Sequence, residues 1–567
     1  MRNRRPLAAA LLAVVALALA ACSGLPHSGP VRAGLALDSE LDELDFTQLA
    51  PGPVPGATPA QTVDGFIDAA ITPTDNWGVA RQFLTTDFAE SWAPLSAVTI
   101  DESGSGRTTT SDVEDDDEQA TTAQVSVIVD QVAGVDRDGV YTSGEGAARL
   151  DFELAREDTD AEWRITHAPD GIVLDVGSFS QVFTSYDLKF FDPSWKRLVP
   201  DVRWFPRRAG IPTTLTRALI SGGPSSWIAP AVRNAFTEDV LPESTSVVVS
   251  GDQVAEVELS AAALSLDDAV LARMRTQLEA SLESIGVSRV QFVVGGRQID
   301  AGTVDVEKDS SASPSLVLTD DRFGEVVGDE ITELGGISAQ IEDIADPVTA
   351  VDVSDNNTAA VRIADSGIYR VTDGQVDLLD DRPGLIDATI DPYGYIWTVP
   401  QKHPHDLSAW NADIVEHQIA DAWPSSTSIT QMRVSADGAR VVALTTAGGE
   451  HRVEVASVIR DEDGVPTALA SPYVLDTVDD SATGLAWLDG DQVAVLVAGD
   501  APQMITMTVG GPTQSVPAPG GSRALAGAEV VTGLRILDAD GTLFVRRGSS
   551  WQESMDGVRV LGTRAGR

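Results

Sequence analysis

The C-terminal half of the chain repeats one short pattern, and this repeat constrains the fold more than any other feature. A turn rich in Asp, Asn and Gly is followed each time by a run of alternating apolar residues. Asp-Gly turns before period-two alternation predict β-hairpins, and a repeat of about 40–50 residues is typical of β-propeller blades. The aspartates of five such turns, at intervals of 36, 46, 52 and 51 residues, are Asp355, Asp391, Asp437, Asp489 and Asp540.

We therefore predict an all-β propeller over residues 315–567. About 250 residues leave room for five or six blades, or for seven short ones. Closing the blades into a ring hides the strand edges that separate sheets would expose, which favours closure. A tandem of β-sandwiches is the alternative that the same turns allow.

The N-terminus has the features of an export signal that ends at a lipidation site. Three arginines precede an apolar run over residues 7–21, which is shorter than a membrane-spanning helix. Cys22, the one cysteine of the chain, follows in the sequence Leu-Ala-Ala-Cys, the pattern of a bacterial lipobox. We predict a signal peptide over residues 1–21 and a diacylglyceryl group on the Cys22 sulfur, because stable anchoring needs two acyl chains. The alternatives are an ordinary signal peptide with a stray cysteine and an uncleaved helix.

Composition limits the partners and the chemistry. The formal net charge is −47 at pH 7, and it becomes −50 once residues 1–21, with three arginines and no acid, are removed. This charge repels nucleic acid and anionic lipid, so we expect no nucleic-acid partner and membrane contact through the lipid anchor alone. With Cys22 lipidated, no disulfide, thiol nucleophile or cysteine metal site is available, and each domain depends on its own core.

Residues 22–57 are rich in proline and glycine and predict an extended tether. A capping box of Thr58 and Gln61 then begins a helix, and strands are expected further along. Helices followed by an antiparallel sheet predict a small α+β domain over residues 58–184, similar to a nuclear transport factor 2-like cone. No acid or histidine pair stands out in it, which favours a non-catalytic module. The expected strands cover residues 124–129, 148–154 and 163–166.

A second α+β domain is expected over residues 185–305. Its clearest element is a helix with Ser265 as the cap, a stripe of apolar residues that includes Met274, and Gly286 as the end. We interpret the Met274 stripe as core and not as a ligand site. The domain resembles the GerMN domain of sporulation, germination and cell-envelope proteins, which implies a binding module without catalytic residues.

Three motifs have both a functional and a structural interpretation, and the structural one is favoured each time. The acidic run at 114–118 lacks the spacing of a calcium loop and suits a solvated hairpin tip. The His-Pro-His segment at 403–405 fits a blade loop better than a metal site. The Ser-Ala-Asp-Gly segment at 435–438 is similar to the Asp-box of sialidases but lacks its aromatic end. Without a hydrolase, nucleotide or zincin motif, we expect no enzyme activity, no cofactor and no metal.

The whole chain resembles the LpqB family of actinobacterial lipoproteins. The segments that carry the resemblance are CSGLP (22–26), SGPV (28–31), ATP (57–59), ARQFLT (80–85), FFD (190–192), LVPD (198–201), GP (223–224), WIAPAV (227–232), GIYRV (367–371) and RVSADGARV (433–441). The resemblance implies an accessory of the MtrAB two-component system on the extracytoplasmic face of the cell membrane. Its expected partner is the outer part of the sensor histidine kinase MtrB, and its expected role lies in envelope homeostasis and division. The resemblance implies that Cys22 is the lipidation site, and it implies no catalytic residue.

Two other functions stay open. An envelope hydrolase that uses the propeller channel would need acids or histidines that converge on the channel mouth. A glycan-binding lipoprotein would need exposed aromatic side chains, and Trp410, Trp423 and Trp551 are candidates. We favour blade packing for these tryptophans.

Overall fold

The computed structural model describes residues 50–564 with several gaps. The gaps are residues 115–116, 118, 208–209, 244–245, 308–314, 328–329, 479–481 and 528–532. The predicted signal peptide, Cys22 and the tether up to residue 49 lie outside the described residues. The described residues all belong to one structural unit, and no helix among them is long and apolar enough to cross a membrane.

The first domain packs short helices against a six-stranded sheet. Its helices are α1 Pro59–Asp68, α2 Thr74–Arg81, α3 Thr86–Ser91 and α4 Val176–Val182, with 3-10 turns at Ala69–Ile71 and Gly104–Gly106. Its strands are β1 Ala97–Asp101, β2 Thr108–Ser111, β3 Thr122–Asp136, β4 Tyr141–Ala155, β5 Arg164–His167 and β6 Ile172–Asp175. The sheet order is β5-β4-β3-β1-β6, and β2 pairs with β3. The expected sheet is antiparallel except at one edge, where β6 returns along β1 and pairs with it in parallel.

The start of α1 follows from its sequence. Thr58 Oγ1 accepts a hydrogen bond from the Gln61 amide at 3.3 Å, and Gln61 Oε1 accepts one from the Thr58 amide at 3.0 Å. The predicted capping box is therefore confirmed. Val63 and Phe66 on the apolar face of α1 are buried in the same core as alternate residues of β3.

Residues 50–57, the last part of the predicted tether, lie against the first domain. Ala50 is buried, and its amide donates to Thr72 Oγ1 at 3.1 Å. The following prolines line a cavity together with Phe83 and Trp163. This stretch is packed on the domain and not extended away from it, because apolar proline rings can lie against aromatic side chains.

The second domain combines a two-stranded ribbon with a small sheet and one long helix. Its strands are β7 Phe183–Phe191, β8 Leu198–Pro206, β9 Val248–Val249, β10 Val254–Glu258, β11 Arg289–Val294 and β12 Arg297–Gln298. Its helices are α5 Ile211–Arg217 and α6 Asp268–Leu282, with a π turn at Ala218–Gly222 and 3-10 turns at Ala229–Ala231, Ala261–Ser265 and Glu283–Ile285. The sheet order is β12-β11-β10-β9, and α6 connects the parallel pair β10 and β11.

The helix α6 begins later than the sequence predicts. The prediction of Ser265 as the cap is wrong: Asp267 accepts a hydrogen bond from the Val270 amide at 2.8 Å, whereas Ser265 ends a 3-10 turn. A carboxylate at this position also interacts favourably with the positive end of the helix dipole. The stripe that includes Met274 is buried core, as predicted, and Gly286 follows the helix with a positive φ of 78°.

The third domain is a β-propeller, and its described residues form six blades. A short helix, α7 Ser338–Glu342, precedes the second blade. The blades are β16–β19, β20–β23, β24–β28, β29–β32, β33–β36, and β37 with β13–β15. Their strands are β13 Leu316–Leu318, β14 Phe323–Val327, β15 Glu330–Thr332, β16 Val348–Val353, β17 Ala359–Ile363, β18 Gly367–Thr372, β19 Gln375–Asp380, β20 Thr389–Ile390, β21 Ile396–Thr398, β22 Ser408–Trp410, β23 Glu416–Gln418, β24 Ser428–Val434, β25 Arg440–Ala447, β26 Glu450–Arg460, β27 Pro466–Leu469, β28 Tyr473–Val478, β29 Ala482–Trp487, β30 Gln492–Val497, β31 Gln503–Thr508, β32 Thr513–Pro517, β33 Ser522–Ala526, β34 Arg535–Asp538, β35 Leu543–Arg547, β36 Ser550–Met555 and β37 Val560–Arg564.

The ring closes because the last described strand completes the first blade. β37 pairs with β13 in antiparallel and with β16 in parallel. The innermost strands β16, β20, β24, β29, β33 and β37 are successive neighbours around a channel. This closure leaves no blade with a free inner edge, so the predicted propeller is confirmed and the β-sandwich tandem is not what forms.

Four of the five repeated turns join the first and second strands of a blade, as the hairpin pattern predicts. The Asp540 turn joins β34 and β35, the second and third strands, and it therefore lies at the opposite end of its blade. The sequence does not distinguish the two positions, because tight turns at either end of a hairpin need the same Asp and Gly residues.

Candidate functional site

The two ends of the propeller have different surroundings. At one end, residues of three neighbouring blades meet the second domain. At the other end, the first residues of the innermost strands surround the mouth of the channel. We call the first end the junction face, defined by residues 391–394, 435–438, 457–464, 489–491 and 508–511. We call the second end the open face, defined by residues 349–350, 387–388, 483–484, 523–524 and 559–560.

Asp192, directly after β7, is at the centre of the junction. Tyr393 Oη donates a hydrogen bond to Asp192 Oδ2 at 2.6 Å, and Ser194 Oγ donates to the same atom. The amides of Lys196 and Arg197 each donate to Asp192 Oδ1 at 2.8 Å. Burial alone would raise the pKa of Asp192, but the hydrogen bonds outweigh it and hold the pKa below its ordinary value. The second domain thus presents an ionised, fully hydrogen-bonded carboxylate to the propeller.

Tyr393 lies on a buried ion pair of the propeller. Arg460 Nη2 and Asp391 Oδ2 are 2.6 Å apart, and neither side chain is more than 1% exposed. The Arg460 guanidinium lies 4.1 Å from the centre of the Tyr393 ring, a cation–π contact, and Trp397 Nε1 donates to Asp391 Oδ2 at 2.9 Å. Burial and the neighbouring Asp192 raise the pKa of Tyr393, so its phenol stays protonated and remains a donor.

Further contacts extend the junction over two more blades. Trp204 Nε1 donates to the Gly510 carbonyl at 2.8 Å. Ser457 Oγ donates to the Trp227 carbonyl at 2.9 Å, and the Trp227 ring stacks on Tyr473 with ring centres 6.5 Å apart. Because the second domain contacts three blades, it cannot rotate about a single contact. The junction therefore fixes the orientation of this domain on the propeller.

Asp491 is a buried acid of the junction face. Burial raises the pKa of Asp491 to about 8, with further contributions from Asp489 and from Asp187 of the second domain, while Arg440 acts in the opposite direction. Arg440 itself pairs with Asp437, and both side chains are 1% exposed. At neutral pH the Asp491 carboxyl therefore holds its proton in the closed junction.

The open face leads into a cavity of about 180 Å³ in the propeller channel. Arg433, Arg523 and Arg559 line it. Among the described lining residues the one acid is Asp387, whose Oδ1 is 3.0 Å from Arg362 Nη1. Guanidinium groups donate several hydrogen bonds in a fixed plane, a geometry that matches carboxylates and phosphates.

The motifs that the sequence offers as sites have structural places. Residues 403–405 lie in the loop between β21 and β22, where His405 Nδ1 is 3.0 Å from the Ala422 carbonyl. Residues 435–438 turn β24 into β25, as predicted. The described acids of the run at 114–118 lie in the loop between β2 and β3. Within the described ranges, no group of three His, Cys, Asp or Glu side chains could hold a metal ion.

The three candidate tryptophans pack within the propeller. Trp423 is fully buried. Trp410 is half-buried, and its Nε1 donates to Thr398 Oγ1 at 2.9 Å. Trp551 is also half-buried, and its Nε1 donates to the Pro517 carbonyl at 3.0 Å. These contacts agree with the favoured interpretation of blade packing. The predicted lipid site, Cys22, lies outside the described residues.

Sequence reasoning missed both the junction and the arginine cluster. Asp192 lies in one of the segments that carry the family resemblance, and Tyr393 lies in one of the repeated turns. The sequence does not indicate that the two side chains meet. Arg460 carries no motif. Arg433 lies between the buried residues Met432 and Val434 near the end of β24, but the sequence of the strand does not show which groups lie opposite.

These observations define a class of protein: two α+β domains followed by a six-bladed propeller, with the second domain fixed on one propeller face. Family models agree with this organisation. The model for the N-terminal domain of lipoprotein LpqB matches residues 52–180, the Germane model for sporulation and spore germination matches residues 187–300, and the model for the LpqB β-propeller domain matches residues 321–561.

Two relatives resemble the chain over nearly its full length, and a third resembles about half of it. Lipoprotein LpqB of Thermobifida fusca is 25% identical, with 86% of this chain and 87% of the relative covered. Lipoprotein LpqB of Streptomyces coelicolor is 25% identical over 98% of both chains. Lipoprotein LpqB of Cutibacterium acnes is 31% identical over 52% of this chain and 47% of the relative. The chain belongs to the LpqB lipoprotein family, as its sequence segments predict; the domain boundaries at 58–184, 185–305 and 315–567 stay predictions.

Proposed function

We propose that this protein is a membrane-anchored lipoprotein on the extracytoplasmic face of the cell membrane, where it acts without catalysis as an accessory of an MtrAB-type two-component system. Diacylation of Cys22 is its anchor. Its partner is the outer domain of an MtrB-type sensor kinase, and its role lies in envelope homeostasis and division. Membership of the LpqB lipoprotein family and the lipobox support the anchor; the kinase and the cellular role rest on the family resemblance.

The observation that carries the proposal is the junction between the second domain and the propeller. A regulator shifts a kinase equilibrium only by the difference in its binding free energy for the two kinase states. A rigid surface gives a larger net difference in binding free energy than a flexible one, because less conformational entropy is lost on binding. The contacts of Asp192, Trp204 and Trp227 with three blades hold the two domains as one rigid docking body.

The channel favours binding over hydrolysis. Glycoside hydrolysis needs two carboxyl groups about 5–10 Å apart across the scissile bond. The described lining of the channel offers three arginines and Asp387, and that acid is already paired with Arg362. The polar groups of the junction, such as Asp192 and Tyr393, are buried between domains and out of reach of a polymer.

Site-specific photo-crosslinking on intact cells tests the proposal. A photoreactive residue is placed at Leu264 of the second domain, at Val376 on an outer propeller strand, or at Asp320 beside the open face, all of which are exposed. We expect an adduct with the sensor kinase from at least one position. The adduct should disappear in cells whose kinase lacks its extracytoplasmic domain, which is the matched control.

Two results would contradict this function. One is the absence of any kinase adduct from all three positions while the protein is present at normal levels in the membrane. The other is release of muropeptides from purified cell wall by the protein, which would favour the hydrolase. A Cys22→Ala variant separates the anchor from the partner: the anchor predicts that the variant leaves the membrane fraction.

A further inference from the structure

The channel mouth concentrates positive charge in a strongly acidic protein. The chain has 39 Lys and Arg residues against 86 Asp and Glu residues. The described lining of the channel cavity reverses this ratio, with Arg433, Arg523 and Arg559 against Asp387. Guanidinium groups that share one cavity repel each other unless an anion lies between them, so the cluster has an energetic cost that calls for a compensating interaction.

The arginines of the cavity are incompletely paired. Arg433 Nη1 donates to the Met432 carbonyl at 2.8 Å, but Arg433 Nε is buried without a hydrogen-bond partner. Arg523 donates to the carbonyls of Asp538 at 2.8 Å and Arg559 at 3.0 Å. Among the described residues, neither Arg433 nor Arg523 has a carboxylate within 4 Å. Arg559 lies 3.7 Å from the highly exposed Asp320, a weak pair at the rim.

A buried acid, Asp352, interacts with the charge of Arg433 but makes its hydrogen bonds to other groups. Asp352 in β16 accepts hydrogen bonds from Thr563 Oγ1 at 2.6 Å and from the Ile390 amide at 2.8 Å. Burial raises the pKa of Asp352, and Arg433 opposes this only in part. The Asp352 carboxyl accepts its hydrogen bonds from other donors, and among the described residues the guanidinium of Arg433 has no carboxylate within 4 Å.

We propose that the mouth of the propeller channel binds a small organic anion, a carboxylate or a phosphate monoester, through Arg433, Arg523 and Arg559. Arg433 is the deepest contact, and the other two arginines hold the anion at the rim. The cavity of about 180 Å³ is smaller than the pockets of about 300–1,000 Å³ that take drug-sized ligands, so the ligand is a compact group and not a polymer segment. This site lies at the end of the propeller opposite the junction and is independent of the kinase.

Isothermal titration of the full chain in detergent, at low ionic strength to limit screening, tests the site. Two pairs of probes differ by one anionic group: N-acetylalanine against N-acetylalanine amide, and glucose 6-phosphate against glucose. We expect the charged member of at least one pair to bind and its neutral partner not to bind. The pair that responds identifies the anion as a carboxylate or as a phosphate.

Variants localise the binding. Arg433→Gln should weaken the affinity by about tenfold or more, because it removes a charge-assisted contact. Arg547→Gln is the matched control: Arg547 is exposed at the end of β35, away from the channel, and the same charge change should leave the affinity unaltered. If Arg433→Gln does not fold, Arg523→Gln replaces it, since the side chain of Arg523 is exposed and bonds only to carbonyls.

Three outcomes would overturn the proposal. The first is equal binding of the charged and neutral members of both pairs. The second is the absence of binding by every probe at about 10 mM, a concentration at which even a millimolar site is mostly occupied. The third is charged-probe binding that the Arg433 and Arg547 variants weaken to the same extent, which would reflect overall charge and not a site.

Discussion

The two faces of the propeller use the same residue types in opposite ways. On the junction face, Arg440 and Arg460 are almost fully buried, and each pairs with an aspartate of the same face. On the open face, Arg433 and Arg523 line a cavity without a carboxylate within 4 Å among the described residues. The presence of an arginine therefore does not show whether its role is structural or functional. The groups that surround its side chain distinguish the two roles.

The difference follows from the cost of burying charge. A buried ion pair contributes little to stability relative to apolar side chains, but loss of one partner leaves a buried charge and is strongly destabilising. The paired arginines of the junction face therefore preserve geometry. An arginine that lines a cavity without a carboxylate partner adds no such constraint.

The largest effect is expected from Arg460→Met. Methionine keeps the apolar stem but leaves Asp391 as an uncompensated buried charge, which should cost about 3–5 kcal/mol of unfolding free energy. Differential scanning calorimetry should show the loss as a large fall in the melting temperature of the propeller transition. A fall no larger than that of a surface substitution would mean that the pair does not hold the blade turns.

A smaller effect is expected from Tyr393→Phe. This variant removes the hydrogen bond of 2.6 Å to Asp192, a contact with a charged acceptor that is worth about 1.5–3 kcal/mol. Hydrogen exchange of residues 192–197 should become faster while the blades keep their protection. Tyr395→Phe is the matched control, since Tyr395 lies two residues away and its hydroxyl makes no hydrogen bond among the described residues; equal effects from both variants would contradict a specific role of the Tyr393 hydroxyl.

The pH dependence of the junction is the next expected effect, and solvent entry on local opening reduces it. The pKa of Asp491 is raised from 3.8 to about 8 in the closed junction, so the closed form binds a proton more tightly than the open form. The contribution of Asp491 to closure is complete below pH 3.8 and is lost as the pH rises through 8. Asp491→Asn, which mimics the protonated acid, should flatten this profile and stabilise the junction at about pH 9.

Hydrogen exchange of residues 192–197 between about pH 5 and about pH 9, corrected for the intrinsic rate, measures this profile. The wild-type junction should open more readily at the higher pH. An unchanged profile in Asp491→Asn would place the titrating group elsewhere. Local opening limits the size of the effect, because solvent that enters the junction relieves the burial of Asp491.

Much of the fold was predictable because local chemistry determines it. The capping box at Thr58, the helix end at Gly286 and the turns of Asp391 and Asp437 depend on neighbours a few residues away. The cap at Asp267 was missed because Ser265 offers the same chemistry, and the blade count stayed open because β37 completes the first blade from the far end of the domain.

The candidate sites needed the structure because they join distant parts of the chain. Asp192 and Tyr393 are 201 residues apart in the sequence. Arg433, Arg523 and Arg559 belong to different blades and meet only when the ring closes. Period-two alternation shows which face of a strand is buried, but not which strand lies opposite.

The smallest effect, and the sharpest test of the comparison, is expected from Arg433→Met. The same substitution that is severe at Arg460 should here change the unfolding free energy by between zero and a gain of about 1 kcal/mol, measured without added anion. It removes a buried donor that has no partner, and such a donor is itself destabilising. Loss of the Arg433 charge leaves Asp352 with its hydrogen bonds to Thr563 and the Ile390 amide, and the buried carboxyl can take up a proton. A loss as large as that of Arg460→Met would show that Arg433 is a structural residue, and the two faces would then differ in exposure alone.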